Sequence, residues 1–482
     1  MLPKGTTQSD RPAFAAAFLM RPILGLIKRL LISVWYIAVV GVPLAMASSD
    51  ANAQGSSYRI LTQAYNSSGQ QLFQKFSKTP GNIVLSPYSI GTVMAMVLTG
   101  ARGPTETEMQ QGLQQRLSRS EIADANADVL HILQGYDNNA ATPTCPSEMS
   151  YIETQCEGLK QANGYCRPPF RAEGDKCVGL PPALPSARLV VANALTLAKG
   201  SGFVTKEYAA LLKDNFAAEI FSKSTLSDIN EWVSQRTQGK IERIIDQLSS
   251  DATAVLLDAV YFKARWKFVF NKSVTTNDTF HLTPAHSIPA PTMHVTAYYA
   301  LVTRPGYRAL LLPYNIGGLG MVIALPDRID GLSAISAKMD AQEVIQLFAA
   351  LLGGKAAPVE LALPKFKTSS KADLKEWFRQ LGMTRAFDPS TADFSGMTGR
   401  PASAEPVFIN EVIHRALIEV MEDGTEASAA TAAVMAVTGA KPTGSEPSPV
   451  PFHVDHPFLF FVIDSTTGAI LFQGRIVDPS QP

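Results

Sequence analysis

Two kinds of hydrophobic pattern divide the chain. Apolar residues at helical spacing predict helices over about 58–76, 89–99 and from 105 onward, with Ser89 as the N-cap of the second helix. Further helices are predicted across about 205–247, with a turn at 237–241 between two of them. Short apolar runs bounded by turn residues predict strands at 81–87, 189–197, 254–262, 298–304, 308–313, 319–325 and 359–363, and a C-terminal hairpin over 457–477. Helices come first and strands dominate later, which indicates an α+β fold with mainly antiparallel sheets.

One segment near the C-terminus, Glu422–Ala433, consists almost wholly of small residues after Gly424. In an extended strand, alternate side chains point to opposite faces. One face would carry Thr425, Ala427, Ala429, Thr431 and Ala433, and the other Glu426, Ser428, Ala430 and Ala432. The first set is small enough to be buried, so the segment could be a loop in one state and a central strand in another. An exposed alanine-rich helix and a low-complexity linker are the alternatives that the segment itself leaves open.

The composition is that of an ordinary globular protein, and it argues against several classes of function. Of 482 residues, 46% are hydrophobic and 17% are charged, and 42 Lys plus Arg balance 42 Asp plus Glu. This length allows one large domain or two smaller ones. The balanced charge argues against nucleic acid as a partner. The chain has no G-x-S-x-G motif, no phosphate-binding glycine loop and no metal spacing among its His residues, so we expect neither an enzyme nor a cofactor or metal.

The N-terminus has the features of an export signal. Arg21, Lys28 and Arg29 precede a nearly uncharged apolar run, Leu30–Met46, and small-residue cleavage patterns occur at 45–47 and at 51–53. We therefore predict a signal peptide over 1–53, a secreted or periplasmic location, and no membrane contact after its removal. An uncleaved membrane anchor is the alternative, because the apolar run is marginal for spanning a bilayer.

Residues 136–187 differ from the rest because they contain many prolines and little apolar periodicity. They also contain all the cysteines of the chain: Cys145, Cys156, Cys166 and Cys177. Exported chains meet an oxidising compartment, so we predict two disulfides in a stapled surface loop, with three possible pairings. A zinc site is the rival interpretation, but close C-x-x-C pairs and His are missing from this segment.

Five separated motifs, in this order along the chain, resemble the serpin family. They are Asn82–Ile90, Gly103–Met109, Asp258–Trp266, Phe408–Ala416 and Asp455–Phe460. The resemblance covers about 58–135 and 188–482, which assigns 54–482 to one serpin domain and makes 136–187 an insertion. The chain departs from the family pattern at Asp258, where Asn is usual, and at Ala264, where Gly is usual.

The resemblance implies a fold of helices around three mainly antiparallel sheets with an exposed reactive loop. It also implies an irreversible inhibitor of serine proteases. The target cuts the loop as a substrate and forms an acyl-enzyme, and the cut loop then enters the main sheet as a new strand. The partner would be the target serine protease in a covalent complex, and the inhibitor itself would be a monomer. The alternative is a non-inhibitory serpin that acts as a binding, carrier or chaperone protein.

The resemblance also assigns residues to functional parts. The hinge of the loop would comprise Gly424, Thr425, Glu426, Ala427, Ser428, Ala429 and Ala430. The residues that control opening of the main sheet, called the shutter and breach, would be Ser86, Ser89, Asn193, Asp258, Trp266 and His414. By the family's spacing from the hinge, the reactive bond is Thr438–Gly439, which suits a protease of elastase or subtilisin type with a small apolar pocket. Ala440–Lys441 is the next candidate bond.

Overall fold

A computed structural model describes residues 57–136, 149–152, 155–159, 171–173, 175–179, 187–197, 204–222, 225–247, 254–425 and 448–481. The segment predicted to be the signal peptide, 1–53, lies outside these residues. The helices of the described residues are α1 (57–76), α2 (Pro87–Gly100), α3 (Gly103–Gly112), α4 (Arg119–Gln134), α5 (Lys206–Phe216), α6 (Leu226–Arg236), α7 (Leu332–Lys338), α8 (Ala341–Gly353), α9 (Lys375–Gln380) and α10 (Ser395–Thr398). Within this part of the chain, none of the helices combines the length and the apolar character needed to cross a bilayer.

The strands follow the same chain order. They are β1 (Ile83–Leu85), β2 (Met149–Ile152), β3 (Gln155–Leu159), β4 (Arg171–Glu173), β5 (Lys176–Gly179), β6 (Ala187–Leu197), β7 (Glu219–Ser222), β8 (Ala254–Arg265), β9 (Thr276–Thr283), β10 (His286–Arg304), β11 (Tyr307–Pro313), β12 (Leu319–Pro326), β13 (Ala356–Pro364), β14 (Phe366–Asp373), β15 (Ile409–Met421), β16 (Gly424–Thr425), β17 (Val450–His453), β18 (Phe458–Asp464) and β19 (Ile470–Ile476). Most neighbouring strands are antiparallel, so the predicted α+β fold is confirmed.

The six-stranded sheet is the part of the fold that positions the functional residues. Its strand order is β14-β15-β16-β8-β6-β7. Over most of their length β15 and β8 are direct parallel neighbours, from the pair Ile409–Ala254 to the pair Leu417–Tyr261. At one end the short strand β16 lies between them. The sheet is therefore continuous along most of β8 and parted at a single end, which we call the hinge end.

Both faces of this sheet are covered. One face packs on the main core, which includes Leu256 and Val260 of β8, together with the nine-stranded sheet of order β1-β19-β18-β12-β11-β10-β13-β17 and β9 beside β10. The other face packs under α6, where Ile229 contacts a second apolar cluster that contains Leu257 and Leu417. Burial on both faces explains the continuous apolar run that predicted a central strand at 254–262, and this prediction is confirmed.

Helix α2 starts earlier than its apolar pattern predicts. Its N-cap is Ser86, whose hydroxyl accepts a hydrogen bond from the backbone N–H of Ser89 at 3.1 Å, and Pro87 occupies the first turn. The prediction that Ser89 caps this helix is therefore wrong. A proline in the first turn costs no helical hydrogen bond, so its position marks the true start of the helix. Ser89 lies one turn inside, with its side chain free to bond elsewhere.

The prediction of helices across 205–247 is only partly right. Strand β7 lies between α5 and α6 and pairs with β6 in parallel. The predicted turn at 237–241 is present, but residues 242–247 form bends and irregular backbone instead of the helix predicted after it. Side chains form hydrogen bonds with the irregular backbone there. Asn230 Oδ1 accepts hydrogen bonds from the backbone N–H groups of Ile244 and Ile245 at 2.8 and 3.2 Å. Such local side-chain bonds offer the backbone an alternative to a helix.

The insertion forms more than the predicted surface loop. Its four strands make a separate antiparallel sheet of order β2-β3-β5-β4. The backbones of Cys156 and Cys177 lie in neighbouring strands, β3 and β5, where Cys156 pairs with Gly179 and Cys177 with Gly158. Cys145 and Cys166 lie outside the described residues, so the two disulfides stay a prediction.

Candidate functional site

The small-residue segment begins inside the six-stranded sheet, as β16. Its residues pair with both neighbouring strands: Gly424 with Met421 and Arg265, and Thr425 with Val420 and Ala264. A Cβ atom on Gly424 would lie 2.8 Å from the Cα atom of Arg265, closer than real Cβ contacts allow, so this approach requires glycine. Thr425 is fully buried, and its hydroxyl oxygen lies 2.6 Å from that of Tyr314.

Two stacked aromatic rings support this hinge. The rings of Trp266 and Tyr314 lie 4.5 Å apart and are tilted by only 8°. The indole N–H of Trp266 donates to the carbonyl oxygen of Met421 at 3.0 Å. The backbone N–H of Trp266 donates to the carbonyl oxygen of Asp423 at 3.0 Å. Burial raises the pKa of Tyr314 far above its ordinary value, so its hydroxyl remains protonated beside Thr425. The two rings therefore hold the end of β15 and the first residues of the loop together.

Two buried carboxylates precede the hinge, and each has a lysine partner. Glu422 accepts hydrogen bonds from Lys365 at 3.1 Å and from the Thr275 hydroxyl at 3.0 Å, and Asp423 lies 2.8 Å from the ammonium group of Lys272. Burial opposes ionisation of Glu422, but hydrogen bonds from its own backbone, Lys365 and Thr275 outweigh burial and hold the pKa of this carboxyl below its ordinary value. Both charged pairs tie the turn between β15 and β16 to the neighbouring segments.

A second polar cluster lies further down the sheet, between β15, β8 and α2. His414 Nδ1 is 2.7 Å from Asp258 Oδ2, the hydroxyl of Ser89 donates to Asp258 Oδ1, and the backbone N–H of Ser86 donates to His414 Nε2 at 3.2 Å. All four residues are fully buried. The cluster spans the boundary at which β15 and β8 would have to separate to admit a strand.

The hydrogen bonds of this cluster specify its proton positions. Because His414 Nε2 accepts from the Ser86 backbone, the imidazole proton lies on Nδ1 and points to Asp258. Asp258 then accepts from two donors, which suits a carboxylate. The Asp that departs from the family pattern is therefore accommodated by its surroundings.

Comparison with known proteins agrees with this arrangement. The family model described as Serpin (serine protease inhibitor) matches residues 63–479. The chain belongs to the serpin family. The resemblance predicted from the five motifs is thus confirmed, and members of this family are in general protease inhibitors and not enzymes.

Relatives of this serpin come from distant organisms. An uncharacterized serpin-like protein of Thermococcus kodakarensis is 30% identical over 426 residues, which are 87% of this chain and 86% of that protein. Serpin B3 of Homo sapiens is 30% identical over 420 residues, 85% of this chain and 96% of that protein. The crystal structure of Serpin48 from the insect Tenebrio molitor has a TM-score of 0.65 at 25% identity, covering 89% of this chain and 98% of that chain. The serpin fold predicted from the sequence is therefore confirmed.

The serpin's predicted site residues fall into three groups. Ser86, Ser89, Asp258 and His414 form one hydrogen-bonded cluster, and Trp266, Gly424 and Thr425 meet at the hinge end. Asn193 faces Asp258 across the strands, but its buried Oδ1 atom has no hydrogen-bond partner in the described part of the chain. The hinge residues Glu426, Ala427, Ser428, Ala429 and Ala430 and the reactive bond Thr438–Gly439 lie outside the described residues.

Sequence reasoning missed several residues of this site. Tyr314, Lys272 and Lys365 contact the hinge region from distant parts of the chain, and no local motif marks them. A partial signal existed for Glu422 and Asp423, since two adjacent carboxylates precede a buried glycine. Burying them demands positive partners, but the sequence does not say which lysines supply the charge.

Proposed function

We propose that this serpin is an irreversible suicide-substrate inhibitor of serine proteases. The observation that carries the proposal is the strand β16. Gly424 and Thr425 already lie between β15 and β8, so the first step of loop insertion is built into the intact fold. A loop whose cut end can continue along this path adds a strand to the sheet, and the attached protease must follow it.

The register of β16 can be extended along the sheet, and its pairings support insertion. Continuing the pairs of Thr425 would set Ala427 between Ile418 and Phe262, and Ala429 between Ala416 and Val260. The partners in β15 and β8 face the main core, so this side of the new strand must be small and apolar. Alanine meets that demand without overpacking.

The same register links the hinge to the shutter cluster. Two pairs further on, Thr431 would lie between His414 and Asp258. Those two side chains are hydrogen-bonded directly at 2.7 Å in the intact fold, so an inserted strand must break that bond. The hydroxyl of Thr431 can both donate and accept, and it would replace part of the lost bonding. A leucine or valine there would leave His414 Nδ1 and Asp258 Oδ2 without a partner in a buried site.

The target class rests on the loop sequence. We propose that the reactive bond is Thr438–Gly439 and that the target has a small apolar pocket, of elastase or subtilisin type. Residues 434–440 contain no Arg or Lys, and Pro442 disfavours cleavage after Lys441. The complex would be covalent and would form with one protease per monomer of the serpin.

We also propose that the protein acts outside the cytoplasm, secreted or periplasmic. Support comes from the export features of residues 1–53 and from the confinement of all four cysteines to 145–177. Alkylation under denaturing conditions, with and without prior reduction and followed by mass spectrometry, would test the two disulfides. Free thiols on the exported protein would contradict this part of the proposal.

Incubation with a panel of serine proteases tests the proposed function. We expect an elastase- or subtilisin-like protease to form a complex that survives a denaturing gel and to release a fragment beginning at Gly439. Loop cleavage should also raise Tm sharply, because a strand is added. If the cut protein melts where the intact protein does and no protease is trapped, the non-inhibitory alternative is correct. A fragment beginning at Pro442, with trypsin trapped, would overturn the bond and the specificity only.

A further inference from the structure

A cavity of about 270 Å³ lies between helices α1 and α8. The end of β18, the start of β19 and the turn that joins these strands also line it. Its apolar wall is one face of α8, with Val344, Ile345, Phe348 and Leu352. The described residues that line the cavity include none from the six-stranded sheet, the hinge or the shutter cluster. The proposed function therefore does not account for this cavity.

The wall on α8 leaves apolar side chains in contact with water. Five large hydrophobic side chains are exposed in the described part of the chain, and two of them, Ile345 at 51% and Leu352 at 50%, line this cavity. They lie about two turns apart on one face of α8, with the half-buried Phe348 between them. A molecule in the cavity would remove this surface from water, which favours a ligand with an apolar body.

A buried polar atom of α1 lacks a partner in the same cavity. Gln70 lines the cavity and is only 2% exposed, and its Oε1 atom has no hydrogen-bond partner among the described residues. Its Nε2 group donates to the carbonyl oxygen of Met339, which also accepts from Gln74 Nε2 at 3.1 Å. Because a carbonyl oxygen can only accept, the Gln70 amide cannot turn over to pair its own oxygen. Oε1 therefore needs a donor that enters the cavity.

Two other polar side chains of α1 in the lining are already paired. The Thr62 hydroxyl and the Asn66 amide nitrogen donate to backbone carbonyl oxygens of the turn between β18 and β19, both at 2.8 Å. Asn66 Oδ1 accepts from the backbone N–H of Ile470 at 2.9 Å. These bonds fix α1 against the turn, so the cavity is formed before a ligand binds. Gln70 Oε1 remains as the acceptor that a ligand can use.

We propose that this cavity binds a small, mostly apolar molecule that carries a hydroxyl group. The hydroxyl donates to Gln70 Oε1, and the apolar body lies against α8. A volume of about 270 Å³ is close to the lower end of the range for ligand pockets, about 300–1,000 Å³, so the ligand is about the size of a fused two-ring alcohol. The hydroxyl gives selectivity, because an apolar ligand without a donor would cover Oε1 and leave it unpaired.

Two probes that differ only in their ability to donate test the inference. 2-Naphthol carries a hydroxyl, and in 2-methoxynaphthalene a methyl group replaces its hydrogen. Each is titrated into the full chain in a calorimeter. We expect 2-naphthol to bind one-to-one with a Kd below about 1 mM, as the binding free energy per atom of small ligands allows. The ether should bind at least about fivefold more weakly, which is the effect of one lost neutral hydrogen bond.

Three variants locate the binding. Ala349 is exposed and lines the cavity, so Ala349→Phe fills the cavity from outside the core and should weaken 2-naphthol binding at least about tenfold. Gln346 is exposed one turn earlier on α8 and does not line the cavity, so Gln346→Phe is the control and should bind within about twofold of the parent. Gln70→Met keeps the length of the side chain and removes the acceptor, while Gln74 still bonds Met339. This variant should lose the preference for 2-naphthol over its ether.

Each of the other outcomes would overturn the inference. If 2-naphthol does not bind saturably, the cavity is not a ligand site. Equal affinities of the full chain for the two probes would refute the role of Gln70 Oε1. Unchanged binding in Ala349→Phe would place the bound probe elsewhere. If Gln70→Met does not fold, the two probes on the full chain, together with Ala349→Phe and its control, decide the question.

Discussion

Replacing Thr425 by arginine should turn the inhibitor into a substrate. Thr425 follows Gly424 and carries the first side chain of the hinge, and its exposed fraction is 0%. Its only side-chain hydrogen bond in the described structure joins it to Tyr314, which carries no negative charge at neutral pH. An arginine at this position would bury a guanidinium without a carboxylate partner, and the loop would leave the sheet instead.

The size of the effect follows from the cost of an unpaired buried charge. Such a charge costs about 3 kcal/mol or more in proteins. If that cost appears in the barrier to insertion, the insertion rate falls about 150-fold. Hydrolysis of the acyl-enzyme competes with insertion, so most of the protease would escape. The stoichiometry of inhibition should rise at least about tenfold, with the cleaved serpin replacing the covalent complex on a denaturing gel.

A neighbouring position offers a matched control. Continuing the register of β16 by one residue would pair residue 426 with Glu419 and Lys263, both only partly buried, on the opposite face of the sheet. Glu426→Arg introduces the same side chain one residue later, where Glu419 can pair with it. This variant should keep most of its inhibitory activity. If Thr425→Arg forms complex with the stoichiometry of the parent, Thr425 does not need to be buried and the hinge assignment fails.

Three further predictions concern the shutter and the acidic turn. Asp258→Asn should have nearly the parental Tm, because the new amide can accept a hydrogen bond from His414 and donate one to Ser89. Asp258→Ala should lower the free energy of unfolding by about 2 kcal/mol or more, because it leaves two buried donors unpaired. A parental Tm in both variants would disprove the network. Thr431→Val removes a hydroxyl that would be buried only after insertion, so it should lower the Tm of the loop-cleaved protein but not that of the intact protein. Thr431→Ser keeps the hydroxyl and should have the parental Tm in the cleaved form. Equal Tm values for all cleaved forms would refute the extended register. The pKa of Glu422 is depressed in the folded state, so its stabilising effect is present above its ordinary pKa and is lost as pH falls through the folded value. Glu422→Gln should therefore have a lower Tm than the parent at pH 7, and the difference should shrink under acid; a pH-independent difference would contradict the assignment.

Much of the fold was predictable because its strongest signals are local. The continuous apolar run at 254–262 marks a strand that is buried on both faces, and the hairpin at 457–477 has a turn between two such runs. Strand β7 was missed because it is only four residues long, too short to show a clear alternation of apolar and polar residues. The N-cap of α2 was misassigned by three residues although Pro87 marks the first turn.

The residues of the candidate site also fall into those that a local signal predicted and those that it did not. Residues inside the motifs, such as Asp258 and His414, were predicted, and the structure joins them. Tyr314 and Lys365 reach the hinge from other strands or their ends, and their role depends on which strands become neighbours. Pairing between distant parts of the chain leaves no periodic pattern in the sequence from which it could be predicted. The buried charges of the acidic turn showed that partners were needed but not where they would come from.

The register of β16 explains how insertion can be favourable although it breaks a buried polar contact. In the intact fold β15 and β8 share one ladder of backbone hydrogen bonds below the hinge. A strand entering between them replaces that ladder with two, and it buries small side chains against a core that already faces the gap. On insertion, the polar cost would be concentrated at one pair, Asp258 and His414, and an extended register would set the hydroxyl of Thr431 at that pair. In the proposed mechanism, the hinge and the shutter would act as two ends of one strand path, with entry at Thr425 coupled to opening at His414.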